Sequence, residues 1–157
     1  MSAKEFADIT AQLPKDFAQL LPRGPDVAVL PAETFLARVA DRAGCDADAA
    51  RRATEAVLET LAERIAVGEV DDLISRLPVS LHAPLKRGKA RNPGAGQRMS
   101  LEKFVGRVAE REGVPPEQAR THASAVFTTL RAALPDKEFR DVIGQLPPEY
   151  AMLWAQP

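Results

Sequence analysis

The chain has 157 residues, 45% apolar and only 5% aromatic, a formal net charge of −1 and a single cysteine. This composition can fill a packed core of Ala, Leu, Val and Ile, gives no global attraction to nucleic acid or an anionic bilayer, and leaves Cys45 without an internal disulfide partner. With no basic-then-apolar leader and no apolar run long enough to span a bilayer, the expectation is a soluble cytoplasmic protein.

The sequence repeats itself. Residues 35–85 align without a gap on residues 104–154, a shift of 69, with 17 of 51 positions identical. Phe35/Phe104, Arg38/Arg107, Arg42/Arg111, Gly44/Gly113, Thr60/Thr129 and Asp72/Asp141 are among them. Residues 4–21 match residues 137–154 and form a third, partial copy. A repeat at fixed spacing sets the architecture ahead of any local signal.

In chain order, the partial copy at 1–21 supplies two short helices, at about 4–13 and 15–21. Their apolar residues, Phe6, Ile9, Leu13, Phe17, Leu20 and Leu21, need cover from the same chain or from another subunit. Docking on the same chain predicts that deleting 1–21 lowers the melting temperature. Residues 22–30 are a short Pro/Gly connector. The first full repeat (32–85) and the second (100–154) each read as four helices. Helix 1 covers 32–43 and 101–112, with Phe35, Leu36, Val39, Ala40 and Ala43 at helical spacing. Ser100 suits an N-cap, and Gly44 and Gly113 suit left-handed stops.

Helix 2 covers about 47–66 and 116–134. Its apolar stripe is Ala50, Ala53, Val57, Leu58, Leu61 and Ile65, answered by Ala119, Ala123, Val126, Phe127, Leu130 and Leu134. Arg51, Arg52, Glu55, Glu59 and Glu63 fall on the other side. Asp46 is a cap candidate, and Pro115-Pro116 opens the second copy. Helix 3 covers 69–77 and 138–146 and stops at Leu-Pro, because proline disfavours helical geometry in the residue before it. Helix 4 is a short turn or two, Leu81 and Leu85 answering to Tyr150 and Trp154. Residues 86–99 hold five basic residues, no acidic ones and three glycines, and read as a mobile linker. The fold class is therefore all-α: two tandem, pseudo-equivalent four-helix lobes and an N-terminal half-repeat hairpin.

Few residues carry a chemical signal. Glu5/Asp8, Glu69/Asp72 and Glu138/Asp141 recur at the start of helix 3, where carboxylates complement the helix dipole; metal binding is the competing reading. Arg38/Arg42 and Arg107/Arg111 sit one turn apart, so acidic partners are expected, with Arg38–Asp72 and Arg107–Asp141 as equivalent ion pairs. An anion site at the arginines is the alternative. Cys45, His82 and His122 read as structural, and no catalytic, metal or cofactor motif is present.

These elements resemble one family. The Phe-x-x-x-Val-Ala helix, the turn glycine, the long Ala-rich helix ending in Thr-Leu, and Glu-Φ-x-Asp-Φ-Φ-x-x-Leu-Pro with a terminal aromatic or Leu are similar to the bacterial domain of unknown function 2267. The resemblance covers about 32–157 and implies an all-helical fold; no catalytic residue carries over. The leading expectation is a non-enzymatic helical interaction module for a protein partner or for self-association, with Tyr150 and Trp154 as anchors. The alternative is a nucleic-acid-associated protein gripping phosphates through Lys86, Arg87, Lys89, Arg91 and Arg98. An enzyme with a site between the lobes is a third, weaker option.

Overall fold

The computed structural model describes residues 29–154; the half-repeat at 1–21, and the expectations attached to it, lie outside the described residues. Among the described residues the elements are all helical. They are α1 (Ala32–Ala43), α2 (Ala47–Arg64), α3 (Val67–Arg76), α4 (His82–Ala90), α5 (Leu101–Glu112), α6 (Pro116–Ala133) and α7 (Asp136–Ile143). A 3-10 turn at Val79–Leu81 leads into α4, and a longer one at Pro148–Leu153 follows α7.

The ends of these helices are set locally. Asp46 accepts the Ala49 backbone N–H at 2.8 Å, and Ser100 accepts that of Lys103 at 3.1 Å, each satisfying a first-turn donor. Gly44 and Gly113 stop α1 and α5 at φ of 69° and 78°, where a side chain is strained, and return their N–H groups to Ala40 and Ala109. α3 stops one residue before Leu77-Pro78.

The repeats do not close into separate lobes, and here the structure corrects the expectation from sequence. α1 packs on α6 as well as on α2, and α5 packs on α2 as well as on α6, with α2 and α6 in contact at the centre. Residues of both repeats form one continuous core. The exchange leaves matched signatures. Arg42 donates to Thr129 Oγ1 and Arg111 to Thr60 Oγ1, both at 2.8 Å. Each threonine hydroxyl in turn donates to the carbonyl one turn back, Ala125 and Ala56, again at 2.8 Å. The two halves are thus interlocked through an approximate two-fold relation.

The cause lies in the central helices. α2 buries Ala50, Ala53, Ala56, Val57, Leu58, Thr60, Leu61 and Ala62, a spread too wide for one apolar stripe. A buried face this wide must be covered by more than one neighbour, and one repeat has too few helices to do it. The many alanines let α2, α5 and α6 approach closely. In the second half the core is closed by aromatic side chains. Phe104 meets Tyr150 edge-on at 5.4 Å between ring centres, and Trp154 lies 5.4 Å from Phe127 and 6.0 Å from Phe139. Leu81 and Leu85 do the same work in the first half.

The stretch 86–99 is not a loose linker. Its first five residues complete α4, which lies along α2. Beyond it, Asn92 donates to the carbonyls of Ala62 and Ile65 at 2.7 and 2.6 Å and accepts from Gly94 and Gly96. The Gln97 N–H reaches the Glu63 carbonyl at 2.8 Å. One asparagine therefore satisfies the open carbonyls at the end of α2 and folds the glycine turn around itself.

Candidate functional site

Two glutamates on α2 organise the densest polar cluster. Glu63 is buried, yet its carboxylate accepts from Arg91 at 2.5 Å, from Arg107 at 2.8 Å and from Arg111 at 2.7 Å. One turn earlier Glu59 accepts from Arg87 at 3.1 Å and from Arg91. Burial pushes the Glu63 carboxyl upward, but the hydrogen bonds from Arg111, Arg91 and Arg107 outweigh it and hold the group below the usual carboxylate range. Guanidinium forks suit such a shared carboxylate because each presents several fixed donors. The cluster fastens α4 and α5 onto α2.

This geometry accounts for most of the basic stretch. Arg87 and Arg91 are paired with Glu59 and Glu63, and Lys89 reaches Asp71 at 2.6 Å. Lys86 is exposed, and Arg98 lines a cleft described below. The expected Arg107–Asp141 pair is corrected: Arg107 bonds Glu63, while Asp141 accepts from Lys137 at 3.0 Å. Among the described residues no ion pair joins Arg38, which is exposed, to Asp72; the arginines one turn on, Arg42 and Arg111, reach helix 2 of the other repeat.

Of the two C-terminal aromatics expected as anchors, the structure corrects Tyr150 and leaves Trp154 at the edge of a cleft. Tyr150 is fully buried, and its hydroxyl donates to the Met99 carbonyl at 2.7 Å, with that of Ser100 at 3.2 Å. Burial pushes the phenol up to about 12, so it stays a neutral donor. Trp154 is half-buried against Phe127 and Phe139. Both rings pack on the core of the second half where Leu81 and Leu85 close that of the first.

A second buried pair joins α5 to α6. His122 Nδ1 contacts Glu112 Oε2, with both side chains almost fully enclosed. Burial raises the Glu112 carboxyl, against the opposing pull of His122 and Arg52. A raised carboxyl favours the protonated form in the folded state, so its contribution is largest below the unfolded pKa and declines as pH rises through the folded one. Glu112→Gln removes the buried charge and keeps an acceptor. Its melting temperature at pH 8 should therefore equal or exceed that of the parent, with the gain shrinking toward pH 4.5. A thermal melt at the two pH values checks this, and a loss at pH 8 would show that the ionised pair stabilises the fold.

The helix 3 carboxylates keep their dipole role: Glu69 lies in the first turn of α3, and Glu138 in that of α7. Burial, followed by the charges of Asp72, Asp141 and Glu138, raises the Glu69 carboxyl. Among the described residues no group of three or more His, Cys, Asp or Glu is placed to hold a metal ion. His82 bonds the Leu77 carbonyl at 2.7 Å through Nε2. Cys45 is partly buried with its thiol pushed up, by burial first and then by Asp46 and Glu112, which makes it a poor nucleophile.

Two of the clefts that open from this frame bear on function. The larger, about 860 Å³, lies at the seam between the repeats, with Arg64, Arg98, Lys103, Ser100, Gln145 and Glu149 in its wall. Arg64 Nε is buried there and has no hydrogen-bond partner among the described residues. The smaller, about 580 Å³, runs along α6 between Arg42 and Trp154. Neither cleft is announced by a local motif, since each draws on residues far apart in the chain.

No curated protein matches the chain. A family model described as an uncharacterized conserved protein family, DUF2267, matches residues 32–153, which takes in both full repeats and every helix above. The chain belongs to the DUF2267 family.

Proposed function

We propose that this chain is a non-enzymatic binding module of the bacterial cytoplasm, an interlocked helical scaffold that holds a protein partner or a second copy of itself. The observation that carries this reading is the seam cleft. It is built jointly by the end of α2, the turn before α5 and the Leu146-Pro147 corner, so both repeats are needed to form it. Its wall carries Arg64, Arg98 and Lys103 against one carboxylate, Glu149, which suits an acidic partner segment. Arginine at a cleft of this kind is a favoured centre for protein contacts. Elsewhere the groups with chemical potential, Glu63, Glu112 and His122, are engaged in holding helices together.

The pairing of Arg87, Lys89 and Arg91 with carboxylates weighs against a nucleic-acid grip, because those charges already have counterions inside the protein. Among the described residues no helix is long and apolar enough to cross a membrane. The test is paired measurement of solution mass and affinity capture on the parent and on an Arg98→Glu/Lys103→Glu variant. The reading expects self-association or a captured partner that the variant loses. A monomeric mass with no specific capture, or capture that ignores the charge reversal, would count against it.

A further inference from the structure

The two halves of the molecule differ most where their equivalence should be closest. On α2, Arg51 bonds Glu55 at 3.6 Å, and Glu59 and Glu63 receive Arg111 from the facing helix at 3.7 and 2.7 Å. The repeat maps Arg51 to Arg120 and Arg111 to Arg42, so both cations are present on the α6 side. It maps the three acceptors Glu55, Glu59 and Glu63 to Ser124, Thr128 and Ala132, so all three carboxylates are gone. A further cation appears, since Ala62 corresponds to Arg131.

Among the described residues, the space beside the first two of these positions, Ser124 and Thr128, is open. The α6 cleft of about 580 Å³ is lined by Arg42, Arg120, Arg131, Ser124, Thr128 and Trp154. Arg42 is held in place by Thr129, and Arg131 by the Trp154 carbonyl at 3.4 Å. Among the described residues no carboxylate pairs with any of the three arginines. The volume is in the range of small-molecule sites. A docked helix fits less well. Where α4 lies on α2, Gly88 sits directly over Ala62, and on α6 that seat is taken by the Arg131 side chain.

We propose that the α6 cleft is a binding site for a small oxyanion, a molecule with a phosphate or carboxylate head that takes the place Glu55 and Glu59 occupy on α2. Arg42, Arg120 and Arg131 neutralise the head, the Thr128 hydroxyl lies beside it, and the indole of Trp154 borders the body of the ligand, while Ser124 is spent on the Leu153 carbonyl. The first half of the molecule is the same site with its anion built in.

Trp154 is the only tryptophan of the chain, so its emission reports on this cleft directly. The full chain is titrated with inorganic phosphate, pyrophosphate and citrate at constant ionic strength, with sodium chloride as the reference. The expected result is a saturable change with the phosphates or with citrate, which separates a phosphate site from a carboxylate site, and none with chloride. Arg120→Gln should weaken the response about tenfold or more, as expected for losing one charge-assisted contact. Thr128→Glu restores a carboxylate at the position of Glu59 and should abolish the response while raising the melting temperature. Lys86→Gln, at an exposed position outside both clefts, should leave the titration unchanged. A response matched by chloride, no response to any of the three anions, or one insensitive to Arg120→Gln and Thr128→Glu overturns the proposal.

Discussion

Replacing Glu63 by Gln should destabilise the protein by about 3–5 kcal/mol, the usual cost of removing one partner from a buried charge cluster. The substitution keeps the shape and two polar atoms but leaves Arg91, Arg107 and Arg111 around a neutral amide. Glu59 can make up only part of the loss, because it already receives Arg87 and Arg91 and reaches Arg111 only at 3.7 Å. For a domain of this size the loss corresponds to about 10 °C or more in melting temperature. The parent should show the matching acid sensitivity. A carboxyl held below its unfolded pKa contributes stability that is fully present above that unfolded value and disappears as pH falls through the folded one. Thermal melts between pH 7 and pH 3 should find parent and Glu63→Gln converging at low pH. A constant gap across that range would mean that the cluster acts through packing and not through charge.

The same residue shows where reading the sequence stops. Helical spacing puts Glu63 with Glu59 and Arg51 on the polar side of α2, and it is nevertheless among the most enclosed side chains of the molecule. Its partners lie 28, 44 and 48 positions away, so no local pattern contains them. By contrast Asp46, Ser100, Gly44 and Gly113 were legible because a cap or a left-handed stop depends on a few neighbouring atoms. The duplication was legible too, but a repeat states the unit and not whether the unit closes on itself. The signal that the halves interlock was present in α2, whose apolar and small residues cover a face too wide for one neighbouring helix. The α6 cleft was half legible: the arginine pairs 38/42 and 107/111 suggested an anion site, and only the exchange of helices shows that the acids opposite Arg111 are missing opposite Arg42.

Gly88 carries the second large prediction. In sequence it sits between basic residues and reads as a flexible linker position. In the structure it lies inside α4, and a Cβ there would stand 2.2 Å from the Glu59 carbonyl oxygen and 2.6 Å from Ala62 Cβ. Elsewhere in a helix, glycine to alanine is a gain of about 1 kcal/mol from backbone propensity. At Gly88 the sign reverses, because the obstacle is the backbone of α2 and cannot rotate away. Gly88→Ala should cost about 2 kcal/mol or more net of propensity, in line with other overpacked interfaces. The damage should be local as well as global, since lifting α4 also pulls Arg87 and Arg91 from Glu59 and Glu63. Gly106→Ala in α5 is the matched control: no atom lies within 4 Å of its added Cβ, so it should raise the melting temperature slightly. Thermal melts with amide hydrogen exchange distinguish the two, with faster exchange across residues 82–90 expected only for Gly88→Ala. If both substitutions stabilise the chain equally, α4 does not press on α2 as closely as the Gly88 contact requires, and the arginines of α4 hold Glu59 and Glu63 from a greater distance.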